Sequence, residues 1–349
     1  MNRITFGAGL VLITSLAAFA QVAPPAEAQL PMILNVLPVM ADLDRAEEFY
    51  HRLLGLESTQ GDPRARLAWY PNAPFLQDMY AVKGNTRNFF LKAPNSELTF
   101  ELESFDGTQA KRLDTHIQDP GAMQFIFSTR DINQLTSWIT KGGAKVHTIG
   151  GKPVSYGSGL AFVPDGQAGR PISFQAVEFD DFNGFFVRIV QLGDSSKTAG
   201  AGAPTAFLNG ATLGATVEDS EKTAKFYHDV LGVDVKLGTF TSDAKLLESF
   251  GLKNGQVRES VVNFPDKTPP LHFFEFKGVE RKGLHPAQAD PNSVLIRIAV
   301  HDLEGIMAKV KAAGGQIMNA SGGITVNGRT HWLVVKDPNG IHLQLLERQ

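Results

Sequence analysis

Asp42-Leu43-Asp44-Arg45-Ala46-Glu47-Glu48-Phe49-Tyr50-His51, followed by Leu54-Gly55, returns later as Asp219-Ser220-Glu221-Lys222-Thr223-Ala224-Lys225-Phe226-Tyr227-His228, followed by Leu231-Gly232. The offset is 177 residues, from 42 to 219. A second pair, Asp119-Pro120 with Asp131 and Asp290-Pro291 with Asp302, recurs at an offset of 171. Self-similarity of this kind means two copies of one unit, so the architecture and any site can be read twice.

Around the first copy, residues 32–40 alternate loosely and read as a strand. Asp42 stands at an N-cap, and Leu43, Ala46, Phe49, Tyr50, Leu53 and Leu54 recur at helical spacing. Gly55 suits a left-handed helix close. Strand-like runs at 87–91 and 97–103 complete a strand–helix–strands module. A second module has a strand at 122–128, a helix at 132–140 stopped by Gly142-Gly143, and a last strand at 185–191. A third spans 211–277. The fourth has a strand at 294–300, a helix at 303–313 stopped by Gly314-Gly315, and a strand at 342–346. Short extra helices are expected at 76–80 and 246–250, each followed by an arginine, Arg87 and Arg258. The first half carries about fifteen more residues before its last strand, and 166–171 is assigned to that insertion.

The N-terminus is different in kind. Asn2-Arg3 precedes an apolar run at 4–19, and Ala18-Phe19-Ala20 or Ala26-Glu27-Ala28 would suit cleavage. Residues 1–20 therefore read as a secretory signal peptide, with an uncleaved anchor as the alternative. Residues 21–30 read as a spacer. Export, to a periplasm or outside the cell, is the expected localisation. The chain of 349 residues has no cysteine, a net charge of −3 and interspersed charges. Nucleophilic cysteine chemistry is excluded, and nothing points to nucleic acid or, after cleavage, a membrane.

Asp42 … Phe49-Tyr50 … Leu54-Gly55, together with Asp337-Pro338-Asn339-Gly340 and the following Ile341-His342-Leu343-Gln344-Leu345, resemble the vicinal oxygen chelate superfamily. That superfamily includes glyoxalase I, bleomycin-resistance proteins, extradiol dioxygenases and methylmalonyl-CoA epimerase. The resemblance covers residues 32–349. It implies an α+β fold of four βαβββ modules, paired into two glyoxalase-like domains at 31–195 and 205–349 with a linker at 196–204. In metal-dependent members, His, Gln or Glu from the first and last strand of each module hold a divalent cation in the cleft.

The family's spacing locates those positions here. The first-strand position lies seven residues before the helix-opening Asp, and the last-strand position seven after the Asp of the closing turn. The first half yields Asn35, Gln124 and Arg188, with Glu101 or Glu103 completing the set. The second half yields Thr212, Leu295 and Gln344, with Glu275 taken as the counterpart of Glu101. Arg297 shares the face of Leu295 and is a further anchor. An arginine has no lone pair for a cation and would repel one, so Arg188 suits a ligand's carboxylate, phosphate or enolate, or simply pairs with Glu101. One leucine, one hydroxyl, one amide and one carboxylate also make a poor site in the second half. His51, His228, His272, His301 and His342 read as structural or surface residues. No Gly-x-Ser-x-Gly, phosphate loop or HExxH occurs, and Gly150-Gly151 reads as a turn.

The expectation is a protein that binds a small organic molecule in its cleft or clefts without a cofactor. The ligand-binding set is Asn35, Glu101, Gln124, Arg188, Thr212, Glu275, Arg297 and Gln344, and no metal ligands are assigned. The alternative is a lyase, isomerase or dioxygenase that polarises a substrate oxygen with an atypically held divalent metal or with Arg188. Glu101 would then be the proton-transfer base, and Glu101 and Arg188 the catalytic candidates. A third reading has both clefts filled by side chains.

Overall fold

The computed structural model describes residues 30–62, 68–106, 113–157, 173–193, 208–265 and 269–348. The signal-peptide, linker and 166–171 assignments lie outside these residues. Within them the four modules are present. The first has β1 (Met32–Pro38), α1 (Leu43–Ala46) running on as a π-helical segment (Glu47–Leu53), α2 (Pro74–Tyr80), β2 (Asn85–Lys92) and β3 (Thr99–Phe105). The second has β4 (Met123–Thr129), α3 (Ile132–Lys141), β5 (Val154–Gly157), β6 (Ser173–Asp180) and β7 (Phe186–Leu192). The third has β8 (Leu208–Thr216), α4 (Ser220–Leu231), α5 (Ala244–Ser249), β9 (Gln256–Val262) and β10 (Leu271–Lys277). The fourth has β11 (Val294–Ala299), α6 (Leu303–Ala312), β12 (Thr330–Lys336) and β13 (His342–Arg348).

The repeated motif does what its residues allow. Asp42 and Asp219 cap α1 and α4, their carboxylates accepting from Arg45 N, and from Glu221 N and Lys222 N. Each helix start is then fastened to a closing turn of the same half. Asn183 Oδ1 accepts from Asp42 N at 2.8 Å, and Asn339 Oδ1 accepts from Glu218 N at 2.9 Å. In the turns, Asp181 Oδ1 gathers the amides of Asn183, Gly184 and Phe185, and Asp337 Oδ1 those of Asn339 and Ile341. Gly340 sits at φ 91°, and a Cβ there would lie 2.5 Å from Leu284 O, so only glycine closes the turn.

The sheets, however, do not follow the halves. With six further short strands at Glu57–Ser58, Tyr70–Pro71, Lys145–Val146, Val235–Leu237, Gln316–Ile317 and Thr325–Asn327, β1 to β13 form a ten-stranded and a nine-stranded mixed sheet. In the first, β1 pairs antiparallel with β11, joining module one to module four. In the second, β4 pairs antiparallel with β8, joining module two to module three. The expected grouping of Asn35, Glu101, Gln124 and Arg188 in one cleft is therefore corrected. Backbone ladders tie β1 to β11 and β4 to β8, so each sheet takes one module from each half. The helix-bearing faces of both sheets share one apolar core, where Phe100 meets Phe125 and Phe127. Each half thus contributes to both clefts and to that common core.

Residues 30–193 and 208–348, produced as separate chains, would each leave a seam strand of each sheet unpaired. Neither should melt cooperatively as a monomer, while co-expression should give an equimolar complex by size-exclusion chromatography and circular dichroism. A monomeric half with a cooperative melt would contradict the seam.

Candidate functional site

Cross-strand register now identifies four equivalent positions in each cleft. In the first sheet, Asn35 faces Arg297 across the seam, Arg297 lies beside Gln344 on β13, and Glu101 comes from β3. In the second, Thr212 faces Ile126, Ile126 lies beside Arg188, and His272 comes from β10. Three expected residues are replaced. Ile126, not Gln124, faces Thr212, two residues further along β4 than the spacing put it. Arg297, not Leu295, faces Asn35, because β11 reaches Asp302 with two fewer residues than β1 uses to reach Asp42. His272, not Glu275, is the counterpart of Glu101. The 171-residue offset that carries Arg87 to Arg258 also carries Glu101 to His272. Glu275 lies an odd step away and faces the helices. It accepts from Ser220 N at 2.9 Å and from Arg258 Nη2 at 2.6 Å, supporting the start of α4.

The first cleft is closed by its own side chains. Arg297 donates to Glu101 Oε2 at 3.0 Å and to Gln344 Oε1 at 2.5 Å, and Asn35 donates to the same Glu101 oxygen at 2.9 Å. Asn88 supplies a further bond to Glu101 Oε1. Asn35, Glu101, Arg297 and Gln344 are all buried. Met79 and Tyr80 of α2 pack over them with Leu295 and Trp332, and the Arg297 guanidinium lies over the Trp332 ring. Tyr80 donates to Glu103 Oε1, and burial and then the Glu101 charge push the Glu103 carboxyl well above its ordinary range. The guanidinium thus occupies the middle of the quartet, so a metal would compete with an internal cation.

The second cleft is open. A cavity of about 330 Å³ is lined by Ile126, Arg188, Thr212 and His272, with Ser128, Tyr156, Phe174, Glu259, Pro270 and Phe274 among its other walls. Arg188 does not pair with Glu101, which is held in the other sheet. It donates to Glu178 Oε2 at 2.9 Å, Ser249 Oγ at 2.8 Å and the Tyr156 hydroxyl at 3.3 Å, and lies 3.9 Å from the Phe250 ring centroid. Gln124 sits beside it and donates to Glu178 Oε1. Burial raises the Glu178 pKa against the pull of Arg188, and burial likewise raises that of Tyr156. His272 Nδ1 lies 2.7 Å from Glu259 Oε1. Thr212 donates to Pro270 O, and Ser128 to Asn209 O.

Sequence reasoning missed Glu178, Tyr156, Glu259 and Ser249 because they lie on middle strands and on α5. The 171-residue offset held the signal for one of them, since it carries Asn88 to Glu259 and Glu101 to His272. The carboxylate and its partner have exchanged strands between copies. The other histidines are local: His51 bonds Leu56 O and His228 bonds Asp234.

The fit to a divalent ion is poor in both quartets. Each includes a guanidinium, the open one offers a single imidazole, and no group of three or more His, Asp or Glu able to hold an ion occurs among the described residues.

Comparison with known proteins agrees with the fold. Residues 211–345 match the model of the Glyoxalase/Bleomycin resistance protein/Dioxygenase superfamily. A mutant glyoxalase I from Zea mays is 19% identical with a TM-score of 0.55, the match covering 91% of this chain and 94% of that one. A putative dioxygenase from Bacillus subtilis is 13% identical with a TM-score of 0.50, covering 92% and 86%. No curated protein matches the sequence. The resemblance read from the opening and closing motifs therefore holds: this is a glyoxalase-like α+β fold of paired modules.

Arg297→Met should leave the buried Glu101 charge without its cationic partner, costing about 3–5 kcal/mol in urea unfolding, and adding Glu101→Gln should recover part of the loss. A second test concerns His342, whose pKa burial, and then Lys336, lowers to about 3. An unfolded histidine titrates near ~6.5. The unfolded chain thus binds the extra proton, and this contribution to stability is lost as pH falls from about 6.5 toward 3. His342→Gln should therefore lose less stability between neutral and acid pH than the parent, measured by urea titrations across that window.

Proposed function

We propose that this is an exported protein that binds a small, largely apolar organic molecule in the cavity of the second sheet, without a metal. The observation that carries the reading is the contrast between equivalent quartets: one is sealed, the other lines a cavity. Cavities of this size with apolar walls and a few polar groups suit small ligands. The proposal narrows two expected binding clefts to one. It leaves Arg188 and Thr212 at the site, places Gln124 behind the wall on Glu178, and assigns Asn35, Glu101, Arg297 and Gln344 to a structural role, with Glu275 supporting a helix. Export rests on the N-terminal apolar stretch alone.

The enzyme alternative loses its electrophile on this reading. Arg188 donates to three protein groups, one of them a carboxylate that offsets its charge, which weakens it as a partner for a developing oxyanion. Glu101 is held away from the cavity.

Val190→Trp would fill the cavity from the wall of β7. It should weaken binding of a neutral naphthalene fluorophore at least tenfold, about 1.4 kcal/mol, with little change in melting temperature. Unchanged affinity would remove the cavity from the reading. Elemental analysis of protein purified without chelators should find no stoichiometric metal; a metal retained by the parent and lost in His272→Ala would overturn the metal-free part.

A further inference from the structure

We propose that the cavity selects a ligand carrying a hydrogen-bond donor, a hydroxyl or amino group on a compact apolar body, and that Glu259 is the anchor that accepts it. This rests on the binding reading above and names its ligand class.

The argument is an accounting of polar atoms on the cavity wall. Thr212 donates its proton to Pro270 O and Ser128 to Asn209 O. Arg188 donates from Nη1 and Nη2 to Glu178, Tyr156 and Ser249. The two hydroxyl protons and three of the five Arg188 N–H groups are thus committed to the protein. Glu259 is the opposite case. Its Oε1 meets His272 Nδ1, but its Oε2 is buried with no partner among the described residues. The residue is 5% exposed and lines the cavity. A buried carboxylate oxygen left unpaired is costly, and a donor brought by the ligand would relieve that cost. Charge-assisted bonds to carboxylates are also stronger than neutral ones, so the gain would favour donor-bearing ligands over their hydrocarbon analogues.

Nearby groups agree in sign. Glu178 is neutralised by Arg188, and the Tyr156 hydroxyl, already accepting from Arg188, keeps its proton because burial raises its pKa. The cavity therefore offers a carboxylate acceptor, the imidazole bonded to it, a phenol, and a guanidinium already bonded to three protein groups. An anionic ligand would meet the Glu259 charge. The sequence-based assignment of Arg188 as an anchor for a carboxylate, phosphate or enolate is thus replaced by the reverse polarity.

Four probes share one body: 4-propylphenol, 4-propylaniline, 4-propylbenzoate and propylbenzene. Titrated calorimetrically into the full-length protein, the phenol or the aniline should bind at least tenfold more tightly than propylbenzene, and whichever leads distinguishes hydroxyl from amino recognition. The benzoate should bind most weakly. Glu259→Leu should abolish the advantage while retaining propylbenzene. Should that variant fold poorly, the rank order of the parent protein decides alone. Strongest binding of the benzoate, or equal binding of all four, would overturn the donor rule and leave the cavity reading standing. No binding of any probe, with none displacing a naphthalene fluorophore, would overturn the donor rule; absence of fluorophore binding as well would overturn the cavity reading with it.

Discussion

The constraint on which the rest depends is the pair of antiparallel seams, β1 with β11 and β4 with β8. A strand inside a sheet must satisfy its backbone groups on both edges. β1 meets β3 on one side, so its other edge needs a partner, and that partner comes from module four. Once the seams are set, each half is divided between two sheets. The closing turns hold the halves together in a different way, through Asn183 to the start of α1 and Asn339 to the backbone before α4. Ladders across halves and side-chain clasps within halves give one interlocked body. This is why the two clefts cannot be treated as properties of the two halves.

The seam also decides which residues meet. It brings Asn35 opposite Arg297 and Thr212 opposite Ile126. In the first cleft the arginine lies in the central pair, where it reaches a carboxylate and an amide at once. A fully buried guanidinium requires that pairing, and Glu101 and Gln344 supply it. In the second, the arginine lies one strand outward, at Arg188, and its carboxylate comes from the flanking β6 as Glu178. The center of that quartet is left to Ile126 and Thr212, which are too short and too uncharged to fill it. Placement of one arginine thus separates a sealed cleft from an open one.

Much of the fold was legible because caps and turns are local chemistry. Asp42, Asp219, Asp181 and Asp337 each bond amides a few residues away, so their sequence context specifies their job. Strand partners are chosen by residues far apart, and no local pattern distinguishes β1 with β11 from β1 with β4. The site was legible where spacing was rigid, as at Asn35, Arg188, Thr212 and Gln344. It failed where one residue count changes a face. Glu275 differs from His272 by an odd step, which turns a side chain through the sheet. Leu295 differs from Arg297 by two, which preserves the face but moves the position along the strand.

The helices that cover the clefts complete the difference. α2 packs against β12, from the opposite half, and brings Met79 and Tyr80 onto the first quartet. α5 packs against β5 and β6, also from the opposite half, but brings Ser249 and the following Phe250 onto Arg188. Ser249 and Phe250 cover the arginine at one end and leave the Thr212–Pro270 end uncovered. A serine that accepts from a guanidinium stabilises the charge without occupying the space that a methionine or tyrosine fills. The open cavity therefore follows from two linked choices, an arginine displaced by one strand and a small residue placed to receive it. Enlarging Ser249 would be expected to disturb Arg188 before it closed the cavity, because the two share a bond of 2.8 Å.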